Sequence, residues 1–343
     1  MRRMTLLAAA FLLMLLLAAA SLRFGAVAVP WRHIGESLLG RPNPSAYIVV
    51  NVRLPRIATA VLAGFGLAVS GVLLQSLLRN PLASPDVVGV SKGAGFAAAA
   101  VLFLYPRAPA SALPAAAIAG AFAACAFLLL LSRKLSLGPA ALALVGVAVG
   151  AVFQAGTQYL IVRHPTDLNL ALLWLTGSLW GRGWNHVLLL LPWIAALLPL
   201  AWAGFARLNL LQLADEVGVS LGLRIVRERL GLTLLAVALA GSAVAAVGAI
   251  SFVGLVAPHI ARRLVGSRHQ WLIPLAALLG ADLLLLGDVL GRILIVPREV
   301  PVGVVSAVIG APYFVYLLRR ARGAGGGASA GHGRTRGRVP PSV

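Results

Sequence analysis

Long apolar runs joined by short polar stretches form the dominant pattern along this chain. Met4–Leu22, Ile57–Leu78 and Leu272–Leu290 are runs of this kind, and an α-helix needs about 20 such residues to cross the apolar core of a bilayer. The runs do not alternate between apolar and polar residues, as the strands of a transmembrane barrel do. The pattern therefore predicts an all-α polytopic membrane protein.

Further runs bring the prediction to about ten transmembrane helices. Gly95–Tyr105 is too short to span a bilayer alone, so we expect it to include part of the stretch before it. Met4–Leu22 has a basic start like that of a signal peptide, but its long apolar core favours a first spanning helix; cleavage stays an open alternative. The remaining runs are Pro114–Leu131, Ala140–Val162, Val187–Phe205, Leu230–Ala249, Ile250–Val265 and Val302–Leu318.

Composition and charge agree with a membrane protein. Of the 343 residues 60% are hydrophobic and only 11% are charged, too few to cover a soluble domain of this length. A net charge of +20 would suggest nucleic acid in a soluble protein, but here the basic residues indicate topology, because cytoplasmic loops are enriched in Lys and Arg. Their distribution predicts that both termini are cytoplasmic, and we expect no nucleic-acid partner. The single cysteine, Cys125, excludes a disulfide framework.

The organisation predicted is one transmembrane domain, residues 1–322, followed by a tail, residues 323–343. The tail is rich in Gly, Ala and Arg without apolar periodicity, which predicts a disordered cytoplasmic segment. Within the domain, Arg53–Pro85 and Arg229–Leu264 each begin with a basic residue and continue through a helix rich in small residues to a break marked by proline. They run in opposite directions across the membrane, which is typical of the inverted half-repeats of transporters.

The stretch Asn80–Gly95, "NPLASPDVVGVSKGAG", interrupts the apolar pattern. Its prolines disfavour a continuous helix and its glycines permit unusual backbone conformations. Irregular backbone near a membrane is tolerated only where it is buried in protein or lines a watery cavity. The stretch is therefore either a cytoplasmic turn or part of a transport pathway, and the residues alone leave both open.

Three blocks of the sequence resemble the permease subunits of iron-chelate and vitamin B12 ABC importers. They are Asn80–Gly95 with "RLPR" before it, "ISFVGLVAPHIARRLVG" (Ile250–Gly266) and "REVPVGVVSAVIGAPYFVYLLRR" (Arg298–Arg320). The resemblance implies a vitamin B12 importer permease-like fold in a bacterial inner membrane, with two permease subunits, identical or related, side by side. It also implies two cytoplasmic ATPase subunits and a periplasmic or lipid-anchored substrate-binding protein.

The chain itself is not expected to be an enzyme. It contains no G-x-x-x-x-G-K-[ST] phosphate-binding loop, so ATP hydrolysis must belong to a partner subunit. No catalytic, metal-binding or cofactor-binding residue is predicted. The resemblance implies an importer of an iron(III)–siderophore, because the stretch "WLTGSLWGR" looks more like that of ferric-siderophore permeases. Haem or vitamin B12 is the alternative substrate within the family. A proton-coupled secondary transporter using Asp282 and Asp288 and a polytopic membrane enzyme are alternatives from other classes.

The resemblance places an ATPase-coupling element in the polar segment Arg207–Arg229. A solvated amphipathic loop is the alternative. The predicted coupling residues are Ala214, Asp215, Glu216, Gly218, Leu221, Gly222 and Leu223.

A small and polar stripe is predicted on the fifth span. Its residues recur at helical spacing, and two glutamines in lipid must face protein or a wet cavity. The resemblance implies that this helix lines the pathway, whereas plain helix packing is the alternative. The predicted pathway residues are Gly146, Gly150, Gln154, Thr157 and Gln158.

Arginines at the predicted outer side form the third candidate site. The resemblance implies that Arg53, Arg56 and Arg292 dock the binding protein by pairing with its carboxylates; helix-end anchoring is the alternative. Asp288 is expected to pair with Arg292 four residues later. Asp282 lies deeper in the same span, where a carboxylate is costly unless it has a partner, and the sequence names none.

Overall fold

The structure is a computed structural model that describes residues 1–135, 139–164, 168–213, 215–296 and 298–329. The regular secondary structure of these ranges is helical throughout. The helices are α1 (Arg2–Arg23), α2 (Trp31–Leu38), α3 (Leu54–Leu77), α4 (Val90–Leu104), α5 (Ala112–Leu135), α6 (Pro139–Arg163), α7 (Leu168–Thr176), α8 (Trp184–Ala203), α9 (Phe205–Leu211), α10 (Asp215–Ser220), α11 (Ile225–Val247), α12 (Val253–Val265), α13 (His269–Ile293) and α14 (Val302–Ser329), with a π-helical turn, Ile48–Arg53, before α3.

The fold class predicted from the sequence is confirmed. Among the described residues, seven helices are long and apolar enough to cross a membrane: α1, α3 with its π-helical turn, α5, α6, α8, α11 and α13. Helices α4, α12 and α14 occupy the other three predicted spans, and the apolar part of α14, Val302–Tyr316, is shorter than these seven. As expected, α4 starts earlier than Gly95 and takes in residues of the preceding stretch.

The centre of the molecule is built around α3, which packs between α11 and α13. Gly66 of α3 lies against Leu239 of α11, and the Ser70 hydroxyl donates a hydrogen bond of 2.6 Å to the Ala236 carbonyl. Because residue numbers rise along α3 as they fall along α11, the two helices are antiparallel. Small residues at the contact let the backbones approach closely, as is common between membrane helices.

Each half of the domain follows a long helix with a break and a short helix. The break after α3 ends at Gly89, whose φ is +88°, and the break after α11 contains Gly248 and Phe252, with φ of +80° and +68°. A positive φ suits glycine, which has no β-carbon to clash with the backbone, and is uncommon for phenylalanine. The shared order of long helix, break and short helix is the pattern predicted for the two halves.

The middle of the irregular stretch Asn80–Gly95 is buried inside the protein, from Ala83 to Pro85, whereas Pro81 is exposed. Pro85 lies against Gly254 of α12, and Gly89 lies against Gly146 and Gly150 of α6. The segment is therefore a turn held against α12 and α6, which agrees with the requirement that irregular backbone near a membrane be covered by protein or line a watery cavity.

The end of the chain differs in part from the prediction. Helix α14 continues to Ser329 and so enters the segment predicted as a disordered tail. Residues 330–343 lie outside the described ranges, and the division at residue 322 stays a prediction.

Candidate docking, coupling and pathway sites

The three arginines predicted to dock a partner are all buried within this chain. Arg53 precedes α3, Arg56 lies in its first turn and Arg292 lies in the last turn of α13. Their exposed fractions are 5%, 8% and 4%. The sequence predicted that these arginines face outward, toward a partner, and it did not predict their burial.

Asp288 joins two of these arginines into one ionic cluster. Its carboxylate accepts a hydrogen bond of 2.8 Å from Arg56 Nε and lies 2.9 Å from Arg292 Nη2. The predicted pairing of Asp288 with Arg292 is therefore confirmed. Arg56 also donates to Glu299 at 2.8 Å, which brings a second carboxylate to the cluster. Glu299 is half-buried and was not singled out from the sequence, because nothing in its spacing connects it with α3.

The other arginine contacts fasten the connection between α1 and α2. The Arg53 guanidinium donates to the carbonyls of Leu22 and Val27, and Arg292 Nη1 donates to the carbonyls of Ser21 and Phe24, each at 3.1 Å. These bonds satisfy carbonyl groups at the end of α1 that have no partner within the helix. The arginines thus tie the first helix to the centre of the molecule, and their docking role stays a prediction.

Asp282 lies in a very different environment on the same helix. It is 5% exposed, and in the part of the chain that the structure describes neither carboxylate oxygen has a hydrogen-bond partner. Burying such a group without a partner is unfavourable. The sequence names no partner for the Asp282 carboxylate, and the described residues supply no hydrogen-bond donor to it.

The predicted coupling element forms a short helix, α10, anchored by its acidic end. Asp215 pairs with Arg79, which follows α3, at 2.6 Å and with Arg229 of α11 at 2.9 Å. Gly218 is buried against Ile225, the first residue of α11. Ala214 lies outside the described residues. The ion pairs fix α10 to the ends of two central helices. The sequence did not indicate that Arg79 belongs to the coupling element.

The opposite side of the coupling element exposes apolar side chains. Val217, Val219 and Leu221 are exposed, as is Glu216, while Leu223 is half-buried. Gly222 has a φ of +84°, and a β-carbon there would meet nothing within 4 Å. An apolar surface on an anchored turn is suited to contact with another protein.

The predicted pathway stripe on α6 divides into two faces. Gly146, Gly150 and Thr157 are buried, whereas Gln154 and Gln158 are exposed. An α-helix turns about 100° per residue, so each four-residue step moves about 40° around the axis and the glutamines drift away from the glycines. The expectation of a single stripe is wrong: the glycines pack against the turn before α4, and only the glutamines face outward.

The connection between α6 and α8 contains the short helix α7. Trp180 and Trp184 are exposed, in keeping with an aromatic belt, but Trp174 is buried. His259 of α12 contacts the Tyr313 ring edge-on, with ring centroids 5.8 Å apart, which places it in the packing between α12 and α14.

Comparison with known sequences decides the family. The chain matches the FecCD transport family over residues 12–320, most of its length. It belongs to the FecCD family. This FecCD permease is 50% identical over 299 residues to the Fe(3+)-citrate import system permease protein YfmE of Bacillus subtilis, covering 87% of this chain and 90% of the relative. It is 45% identical over 302 residues to the Fe(3+) dicitrate transport system permease protein FecD of Escherichia coli, covering 88% and 94%.

A solved structure supports the same assignment. It is described as an inward-facing conformation of a metal-chelate type ABC transporter, and it aligns with a TM-score of 0.82 at 32% identity, covering 92% of this chain and 99% of that chain. This FecCD chain is therefore a multi-pass membrane permease subunit of a bacterial ABC importer. Its ATPase is a separate subunit, and an importer of this kind also works with a binding protein.

Proposed function

We propose that this FecCD permease carries an iron(III)–siderophore chelate across the bacterial inner membrane. The observation that carries the proposal is the 50% identity with a permease named for Fe(3+)-citrate import. A permease named for iron(3+)-hydroxamate import is 41% identical over 282 residues. Citrate and hydroxamates both bind iron(III) through oxygen atoms, and this chemistry defines the substrate class.

The proposed assembly contains two permease subunits, two ATPases on the cytoplasmic side and a binding protein outside. Both termini of this chain face the cytoplasm. Gln154 and Gln158 support a second permease beside α6, because glutamines in a spanning segment are unfavourable against lipid and favourable against a protein or a wet pathway. Gly146 and Gly150 contribute indirectly by packing the turn before α4 against this helix, and Thr157 is buried further along α6.

The coupling role of α10 is part of the proposal. The apolar side chains of Val217, Val219 and Leu221 form the surface that contacts the ATPase, and the ion pairs of Asp215 transmit its movement to α3 and α11. The other predicted coupling residues, Ala214, Glu216, Gly218, Gly222 and Leu223, shape the same turn.

Docking of the binding protein at Arg53, Arg56 and Arg292 also stays in the proposal, in a form that takes account of burial. Arg56 is shared between Asp288 and the half-buried Glu299. A carboxylate of the binding protein reaches Arg56 only by taking the place of Glu299. Glu299→Gln is therefore expected to raise the affinity for the binding protein in nanodiscs, and the affinity is expected to fall with salt. If this substitution and salt both leave the affinity unchanged, the arginines serve the fold alone.

A substrate competition experiment tests the proposed function. The permease is reconstituted with its binding protein, its ATPase and a second permease subunit, and uptake of ⁵⁵Fe–citrate, a ⁵⁵Fe–hydroxamate, haem and vitamin B12 is measured singly and with excess unlabelled competitor. We expect ferric citrate or a ferric hydroxamate to compete, and haem and vitamin B12 to leave uptake unchanged. Uptake of haem or vitamin B12 with no uptake of either iron(III) chelate would overturn the proposed substrate class while leaving the importer assignment intact.

The structure also bears on the secondary-transporter alternative. A proton relay through Asp282 and Asp288 needs two carboxylates without fixed partners, yet Asp288 is held in ion pairs with Arg56 and Arg292. The geometry of α13 therefore favours a structural role for Asp288.

A further inference from the structure

Helix α2 turns two of its three apolar side chains away from the protein, and the third, Ile34, is buried. Trp31 is 56% exposed, Leu38 is 55% exposed and the next residue, Leu39, is 73% exposed. On a protein surface facing water, the exposed side of a helix is normally polar. The exposed side of α2 instead carries the large apolar side chains of Trp31 and Leu38.

The polar side chains of Ser37 and His33 make contacts inside the protein. The Ser37 hydroxyl accepts a hydrogen bond of 2.9 Å from Asn43 Nδ2, and His33 Nδ1 lies 3.2 Å from the Ser45 hydroxyl. Ile34 lies in a small buried cluster with Val29 and Val49 of neighbouring elements. These contacts fix the rotation of α2, so its exposed apolar face is a built feature of the fold.

The height of α2 is set by its attachment to the end of α1. Val29 donates a backbone hydrogen bond of 3.1 Å to the Arg23 carbonyl, and Arg23 Nη1 donates one of 2.6 Å to the Val29 carbonyl. The Arg23 guanidinium also lies 5.9 Å from the centre of the Trp31 ring. Helix α2 therefore begins beside the residue at which α1 leaves the membrane, that is, at the membrane surface.

The charge around this face is mainly positive. Arg32 and Arg41 are exposed, and Glu36 is the only acidic residue between Ser21 and Tyr47. Arg32 pairs with Glu36 at 2.8 Å, but its side chain is exposed enough to reach a further anion. Exposed apolar and aromatic side chains next to arginines are typical of helices that lie in the interface of a membrane with anionic lipids.

We propose that α2 is a lipid-binding element that lies in the membrane interface. Trp31, Leu38 and Leu39 contact the boundary between headgroups and acyl chains, and Arg32 and Arg41 bind the phosphates of anionic lipids. A protein partner is a poorer fit, because exposed apolar residues continue from α1, a helix apolar enough to cross a membrane, through Phe24 and Val27 to Trp31. Since Arg53 and Arg292 hold the carbonyls between α1 and α2, bound lipid also steadies the arginine cluster.

The depth of α2 is measured by spin labels on the full chain in nanodiscs that contain phosphatidylglycerol. The native Cys125 is replaced by serine, and labels are placed by Leu38→Cys on the apolar face and Glu36→Cys on the opposite face. We expect collisions with oxygen, relative to those with a water-soluble nickel complex, to be several-fold more frequent at position 38 than at position 36. Equal, water-like values at both positions would overturn the proposal and leave the face to a protein partner.

The lipid charge is tested on unlabelled protein. Lipids retained by the purified full chain from an equimolar mixture of phosphatidylglycerol and phosphatidylcholine are counted by mass spectrometry. Arg32→Gln with Arg41→Gln is expected to lower the phosphatidylglycerol enrichment, by up to about fivefold for each arginine removed. Arg107→Gln with Arg163→Gln, two exposed arginines elsewhere on the predicted outer side, is the matched control and is expected to leave it unchanged. Equal effects of the two pairs would contradict specific binding at α2.

Discussion

Two aspartates on α13 show how far the same residue type can differ within one helix. Asp288 is held by Arg56 and Arg292, whereas both oxygens of Asp282 lack hydrogen-bond partners among the described residues. Removing one partner of a buried ion pair leaves an uncompensated charge and costs about 3–5 kcal/mol. Removing an unsatisfied buried carboxyl group instead relieves a cost of about 1–3 kcal/mol.

We therefore predict opposite effects on stability for two matched substitutions. Asp288→Asn should lower the thermal unfolding midpoint of the purified permease, and Asp282→Leu should raise it or leave it unchanged. The measurement is unfolding in detergent followed by the fluorescence of a thiol dye that reports exposure of the buried Cys125. A large loss of stability in Asp282→Leu would mean that its carboxyl group has a favourable partner.

At the residue scale, the sequence predicts local pairs and misses distant ones. The pairing of Asp288 with Arg292 follows from their spacing of four residues on a helix. Arg56 and Glu299 join the same cluster from distant positions in the chain, and no local pattern reports such contacts. The burial of the three arginines was missed for the same reason, because it depends on how α1, α3 and α13 pack.

Glycines set the distance between elements. A β-carbon added at Gly64 of α3 would lie 2.6 Å from the backbone of Ala281 on α13, closer than real β-carbons approach. Gly231 of α11 is a useful contrast, because a β-carbon there meets nothing within 4 Å. The crossing of α3 and α13 thus depends on the absence of a side chain at one position.

Gly64→Val is predicted to destabilise the permease, by at least the roughly 1–3 kcal/mol typical of overpacked sites. Gly231→Val makes the same chemical change on a spanning helix without a clash and should leave stability nearly unchanged. The fraction of monodisperse protein after heating, measured by size-exclusion chromatography, reports both. Equal losses in the two variants would show that the α3–α13 contact does not limit stability.

The coupling element gives a second prediction at this scale. Leu221 is 59% exposed in the turn after α10, so a charge there should not disturb the core but should disrupt an apolar contact with the ATPase. Leu221→Glu is predicted to lower transport and transport-linked ATP hydrolysis at least tenfold, the effect of losing about 1.4 kcal/mol or more of contact energy.

The control for this prediction is a similarly exposed leucine outside the coupling element, Leu104, the last residue of α4. Leu104→Glu introduces the same charge there and should leave ATP hydrolysis by the assembled complex unchanged. If Leu221→Glu retains full coupling while inserting normally, the turn after α10 is not the ATPase contact.

At the element scale, periodicity located the helices but not all of their faces. The ten predicted spans correspond to helices because apolar runs of this length have few alternatives in a bilayer. The division of the α6 stripe was missed because a spacing of four residues was treated as one face, although it drifts around the helix. The apolar outer face of α2 was missed because the helix is too short to appear as a span.

For the whole molecule, the long helices α3, α11 and α13 form a densely packed centre, and the breaks after α3 and α11 place short helices beside it. The sequence indicated this organisation through its two similar halves. It could not indicate that irregular backbone from the first half packs against α12 and α6, because such contacts follow from three-dimensional packing rather than from local composition.

The central claim is that this chain moves its substrate only when a separate ATPase drives it. Proteoliposomes containing the permease, with and without its ATPase and binding protein, are tested for accumulation of ⁵⁵Fe–citrate. We predict that ⁵⁵Fe–citrate accumulates when all components and ATP are present. We predict no accumulation with a hydrolysis-deficient ATPase or with the permease alone, even under a proton gradient. Accumulation by the permease alone, driven by the proton gradient and independent of ATP, would contradict it.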